Sequence, residues 1–121
     1  TPRVVIVGII RMNQKREHFR LRYPLLVRPR LRMASATATV TELSERGMRL
    51  SVAKLVELTA DVLVAGSMKL ASGGECEIRG KVIRVDGDEI IVSLSEGPSY
   101  KDMITEQRHI AQKFPNWRHP I

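Results

Sequence analysis

The residues of this chain best suited to chemistry are two arginines and a serine–glycine turn. Arg16 and Arg20 stand four positions apart in the run Arg16-Glu17-His18-Phe19-Arg20. Twenty-two residues after Arg20 begins Glu42-Leu43-Ser44-Glu45-Arg46-Gly47. A guanidinium is a rigid planar fork. It gives two parallel hydrogen bonds to a phosphate or a purine edge, and it stacks on a purine face. Ser44 supplies a small hydroxyl that both donates and accepts. Gly47 permits an unusual backbone conformation and close approach of the main chain. Taken singly, an arginine pair is an ordinary solvated face and a serine–glycine turn merely shapes a hairpin. Taken together, they describe a site for an anionic ligand with a cationic wall and a polar floor.

Charge placement supports the same reading. The 121 residues carry a net charge of +7. Residues 1–32 hold nine Lys/Arg against the single acid Glu17, and the rest of the chain holds eleven basic and twelve acidic groups. The whole excess therefore sits in the first quarter, a field that attracts a nucleotide, a nucleic acid or a membrane surface.

The elements that must position these residues read mainly as strands. Tyr23 to Arg32 is strand-like, with Pro24 and Pro29 confining it to an edge or a bulge. Ala36, Ala38 and Val40 alternate with Thr37, Thr39 and Thr41, the period of a half-buried strand. After the Ser44–Gly47 turn a returning strand carries Met48, Leu50 and Val52 on one face. Two β-like runs flank Gly66, where a bulge or bend is expected. A longer strand from Glu75 to Val85 begins with Cys76, Ile78, Gly80 and Val82 toward the core. It then shifts to Ile83 and Val85 through a bulge near Val82. Asp86-Gly87-Asp88 is a hairpin turn, and Glu89 to Ser95 is its partner strand. Short strands and turns at this spacing imply an antiparallel barrel or sandwich. Beyond Gly97-Pro98 the period changes. Ser99 caps a helix with Asp102 as its capping-box partner. Met103, Ile104, Gln107, Ile110, Ala111 and Phe114 form its apolar stripe, and Pro115 ends it.

The first run fits RxxxR. The second fits [D/N]xSxxG with Glu in the first place. In this order, ahead of a β-rich chain and a terminal helix, they resemble the signature of the PilZ domain, the bacterial receptor module for cyclic di-GMP. The resemblance implies a six-stranded antiparallel β-barrel followed by an α-helix, with residues 16–121 forming this unit. Residues 1–15 are then a basic arm or the remnant of a preceding segment, consistent with a chain that begins at Thr1. It also implies a ligand set of Arg16, Arg20, Glu42, Ser44 and Gly47, with Lys15 beside the first arginine. No cofactor is implied; the ligand is cyclic di-GMP, two phosphates and two guanines. Glu42 is the departure, being one methylene, about 1.5 Å, longer than the usual Asp or Asn. Its carboxylate suits the N1–H and N2–H of guanine. In binding members the ligand orders the arginine-bearing arm, here residues 11–22, against the barrel and changes the surface offered to a protein partner or fused host domain. Other members bind no nucleotide and act as adaptors, and Glu42 is the feature that favours that alternative.

Other function classes fit less well. No Ser/His/Asp set or phosphate-cradling loop marks an enzyme. Cys76, His18, His109 and His119 do not stand at zinc spacing. One cysteine precludes an internal disulfide framework and suits a reducing compartment. A barrel that binds nucleic acid stacks bases on aromatic side chains of its strands. The aromatics here are Phe19, Tyr23, Tyr100, Phe114 and Trp117, three of them in or beyond the helix. The apolar run Val4–Ile10 is too short to span a bilayer, so no direct membrane insertion is expected. Location follows the ligand: the cytoplasm, either free or as the cytoplasmic part of a larger or membrane protein.

Overall fold

The computed structural model of the chain describes residues 20–34, 36–52 and 59–117. Among these, the strands are β1 (Leu21–Arg22), β2 (Arg30–Met33), β3 (Thr37–Leu43), β4 (Gly47–Val52), β5 (Leu63–Lys69), β6 (Glu75–Asp86) and β7 (Glu89–Glu96), followed by helix α1 (Tyr100–Lys113). Six strands close an antiparallel barrel in the order β2-β3-β4-β7-β6-β5, with β5 returning to β2. Closure leaves no sheet edge between these six strands.

The first strand is interrupted rather than continuous from Tyr23 to Arg32. β1 pairs with the second half of β3 (Leu21↔Leu43, Arg22↔Glu42), and β2 pairs with its first half (Arg30↔Thr39). Between them Pro24 and Pro29 bracket a 3-10 turn, Leu25–Val27. Proline cannot donate to a ladder, so the chain leaves the sheet here and rejoins it. The Val27 N–H bonds the Pro24 carbonyl at 3.1 Å, and the Val40 N–H bonds the Pro29 carbonyl at 2.8 Å.

The described strands carry three register shifts, one of them between Arg79 and Gly80; the other two set which side chains face outward around the turn after β3 and the end of β6. β3 alternates Ala38 and Val40 into the core, a pattern that would carry Glu42 inside as well. The register against β4 shifts between Val40 and Glu42. Thr41 is the extra residue, its hydroxyl donating within reach of the Arg49 carbonyl (3.2 Å) and a Glu89 oxygen (3.1 Å). Leu43 thereby enters the core and Glu42 turns out. The second bulge, between Val82 and Arg84, stands where the sequence places it. Its effect on the core face differs from expectation, because Ile83 and Val85 are half exposed. Ile83 is the bulged residue and leaves the ladder; Val85 lies at the open hairpin end beside Gly87, whose φ is +67°. At Gly66 β5 keeps its register, so no bulge is present. Glycine is required there because a Cβ would lie 2.3 Å from the Arg32 carbonyl oxygen.

The core is one cluster that includes Leu21, Leu31, Val40, Leu50, Met68, Ile78, Val82 and Val92, with Met103 and Ile110 of α1 packed against it. Ser99 and Asp102 form the full capping box at the helix start. The buried stripe of α1 is Met103, Glu106 and Ile110, and Ala111 is exposed. The helix is turned toward Glu106 because that carboxylate finds three donors: the Tyr23 hydroxyl, the Ala71 N–H (2.9 Å) and the Ser72 N–H (2.7 Å). Burial, and the Glu106 charge beside it, hold the Tyr23 phenol well above its ordinary pKa. Trp117 completes the attachment, donating its indole N–H to the Arg22 carbonyl at 2.9 Å. Cys76 is buried and free; burial and nearby carboxylates push its thiol up to about 11.

Candidate functional site

A cleft of about 360 Å³ opens on the outer face of the barrel. Its floor is the β3–β4 turn and the start of β4; its far wall comes from β6 and β7. Arg20, Glu42, Ser44 and Gly47 all line it, brought together from the segment before β1, the outward position created by the Thr41 bulge, and the turn. Lys15 and Arg16 lie outside the described residues, as does the arm up to residue 19.

The turn is built from its own main chain. The Ser44 N–H bonds the Gly47 carbonyl at 2.8 Å, and the Leu94 N–H bonds the Arg46 carbonyl at 2.9 Å, which ties the turn to β7. Ser44 is nearly buried, and its hydroxyl donates to the same Gly47 carbonyl at 3.3 Å. Gly47 has no left-handed backbone, since positive φ among the described glycines occurs at Gly73 and Gly87. The expected role in permitting an unusual conformation is therefore replaced by a simpler one. Met48 and Leu50 point into the core, so Gly47 faces outward and its missing side chain leaves space in the cleft. An added Cβ would meet the Val92 carbonyl oxygen at 3.5 Å and the Ser44 hydroxyl oxygen at 3.7 Å, ordinary contacts. Gly47→Ala should therefore fold normally, with a change in stability within about 0.5 kcal/mol. It should also lower affinity for a ligand in the cleft at least ten-fold, as read by titration and melting of the variant.

Three further arginines line the cleft: Arg46, at a variable position of the second motif, and Arg49 and Arg84, outside both motifs. Arg49 is the anchor. It pairs with Glu89 at 3.0 Å, Asp86 at 3.4 Å and Glu42 at 3.8 Å. Desolvation lowers its pKa, but the hydrogen bonds it donates to Glu89 and Asp86 and the charges of Glu42 and Glu89 outweigh this and raise it. Glu42 stands between Arg49 and Arg20, the latter at 4.0 Å. Both separations exceed a hydrogen bond, so the carboxylate is steered by charge without its lone pairs being used by these arginines. Among the described residues, Arg46 and Arg84 form no ion pair and add uncompensated positive charge to the walls. Arg49 was legible from the sequence as the outward partner of Gly47 at period 2. Arg84 was not, because the bulge at Ile83 sets where it points. The cleft can thus take an anion with flat, hydrogen-bonding groups: guanidinium forks on several sides, a carboxylate acceptor between them, and Ile83 and Ile91 as apolar surface.

The family model described as PilZ domain matches residues 14–112. No curated protein sequence matches the chain. Among solved structures, the Bacillus subtilis inhibitor of motility MotI/DgrA is similar in fold, with a TM-score of 0.64 at 13% identity. The match covers 88% of this chain and 55% of that one, so the chain spans about half the length of that neighbour.

Proposed function

The chain belongs to the PilZ family, whose members are binding and receptor modules, and from that premise we propose that it is a receptor for cyclic di-GMP. The observation that carries the reading is the convergence of Arg20, Glu42, Ser44 and Gly47 on one cleft that also holds Arg46, Arg49 and Arg84. In this mechanism Arg20, with Arg16 and Lys15 of the arm, closes over the nucleotide from one side. The arginine forks take phosphate oxygens and the O6/N7 edge of guanine. The Glu42 carboxylate, held near Arg49, accepts from guanine N1–H and N2–H, and the Ser44–Gly47 turn forms the floor. No cofactor takes part.

The consequence of binding is a local switch. An anion orders a cationic segment, and the surface offered to a protein partner or host domain changes. Its place of action follows the ligand, the bacterial cytoplasm. Among the described residues, no helix is long and apolar enough to cross a membrane.

Calorimetric titration with cyclic di-GMP, and with GTP as control, tests the reading. Saturable heat at micromolar or tighter affinity, absent with GTP, is the expected result. No heat and no shift in melting temperature at high ligand concentration would overturn it and leave a protein-interaction module with a PilZ fold.

A further inference from the structure

A second surface, sharing no residue with the cleft, carries its own signal. The 3-10 turn between β1 and β2 presents Leu25 and Leu26 at 72% and 86% exposure, although leucine is ordinarily a core residue. The turn is firmly held. Tyr23 is buried before it with its N–H on the Thr41 carbonyl at 3.0 Å, Val27 packs on the core, and Pro24 and Pro29 stiffen both ends. The two leucines therefore form a fixed convex apolar tip.

The ground around that tip is cationic. Between residues 24 and 41 the sequence has three arginines and no Asp or Glu. Beside the turn lies a depression of about 380 Å³ walled by Arg28, Arg30, Arg32 and Lys69. Arg32 is engaged by Glu75 at 3.4 Å. Among the described residues Arg28, Arg30 and Lys69 have no ion-pair partner, and the Nε of Arg28 is enclosed without an acceptor. A buried donor left without a partner carries a cost, and this one sits on the wall of a basic depression of headgroup size.

We propose that this face docks on an anionic lipid bilayer, with Leu25 and Leu26 entering the headgroup–acyl boundary and Arg28, Arg30 and Lys69 engaging lipid phosphates. The convex shape selects the partner. An acidic protein would need a matching apolar pocket for the tip, whereas a fluid interface conforms to it. Apolar residues at the apex with basic residues around them are the combination that gives reversible surface binding: each basic group near an anionic surface contributes roughly five-fold in affinity, and the apolar insertion adds to it. The contact is peripheral and spans nothing.

Co-sedimentation of the full chain with vesicles tests this. Binding is expected to phosphatidylcholine vesicles containing phosphatidylglycerol, and to weaken at least ten-fold on phosphatidylcholine alone or at high salt. The paired change Leu25→Ser and Leu26→Ser should lower binding to the anionic vesicles roughly ten-fold or more while leaving the melting temperature and cyclic di-GMP titration unchanged. Arg30→Glu with Lys69→Glu should abolish the preference for anionic lipid. Absence of binding to anionic vesicles would overturn the proposal and point to an acidic protein partner. Binding indifferent to the leucine pair would also overturn it, and full competition by inorganic phosphate in that case would mark a simple anion site. Neither result bears on the nucleotide cleft, which the titration decides separately.

Discussion

Arg20→Ala is expected to weaken cyclic di-GMP binding at least ten-fold with almost no loss of fold stability. A charge-assisted hydrogen bond contributes about 1.5–3 kcal/mol, and about 1.4 kcal/mol is one decade of affinity. Arg20 is half exposed, and its one ion pair among the described residues, with Glu42, is 4.0 Å long. An exposed pair of that kind adds about 0–1 kcal/mol to stability, so the variant should melt close to the parent. Arg20→Lys separates fork from charge: it keeps the positive charge but loses the parallel hydrogen bonds, and should fall between the two. Titration of the three proteins reads the order directly. Affinity unchanged in Arg20→Ala would remove Arg20 from the ligand contact and with it the arm-closure mechanism.

Glu106→Ala should be the most destabilising single change, about 3–5 kcal/mol. Glu106 is wholly buried and accepts from the Tyr23 hydroxyl and from the N–H groups of Ala71 and Ser72. Truncation strands three donors, each costing about 1–3 kcal/mol when left without a partner, and opens a cavity between α1 and the barrel. The melting temperature should fall by roughly 10–20 °C. Tyr23→Phe removes one donor and leaves the carboxylate two partners, so it should cost about 1–2 kcal/mol. Urea unfolding of both variants checks the ratio as well as the sizes. A loss below about 1 kcal/mol in Glu106→Ala would mean that the carboxylate does not hold the helix.

Much of this protein is legible in its residues. Period-2 alternation from Thr37 to Val40, where the Thr41 bulge breaks it, and from Gly47, the Asp86-Gly87-Asp88 hairpin and the Ser99–Asp102 capping box appear in the structure as the sequence implies. Each depends on neighbours a few positions away, which is the range over which side-chain alternation, turn φ values and caps act. The excess of positive charge before residue 33 and the two motifs are likewise properties of the chain itself.

Tertiary structure decided what depends on contacts between distant segments. Of the strand expected from Tyr23 to Arg32 only the end, from Arg30, pairs as β2; Leu25–Val27 is a turn and β1 lies before Tyr23, because the prolines cannot pair along the edge of β3 that β1 and β2 share. Glu42 faces the cleft through the Thr41 bulge, and Ile83 leaves the core through the second bulge; both are one-residue register slips between paired strands. The placement of Arg49 against Asp86 and Glu89, 37 and 40 residues away, rests on barrel closure. Glu106 reads in the sequence as one more polar residue of a surface helix. Only the approach of Tyr23, 83 residues away, and of the Ala71–Ser72 turn makes it a buried anchor, because a carboxylate enters a core only where donors already wait for it.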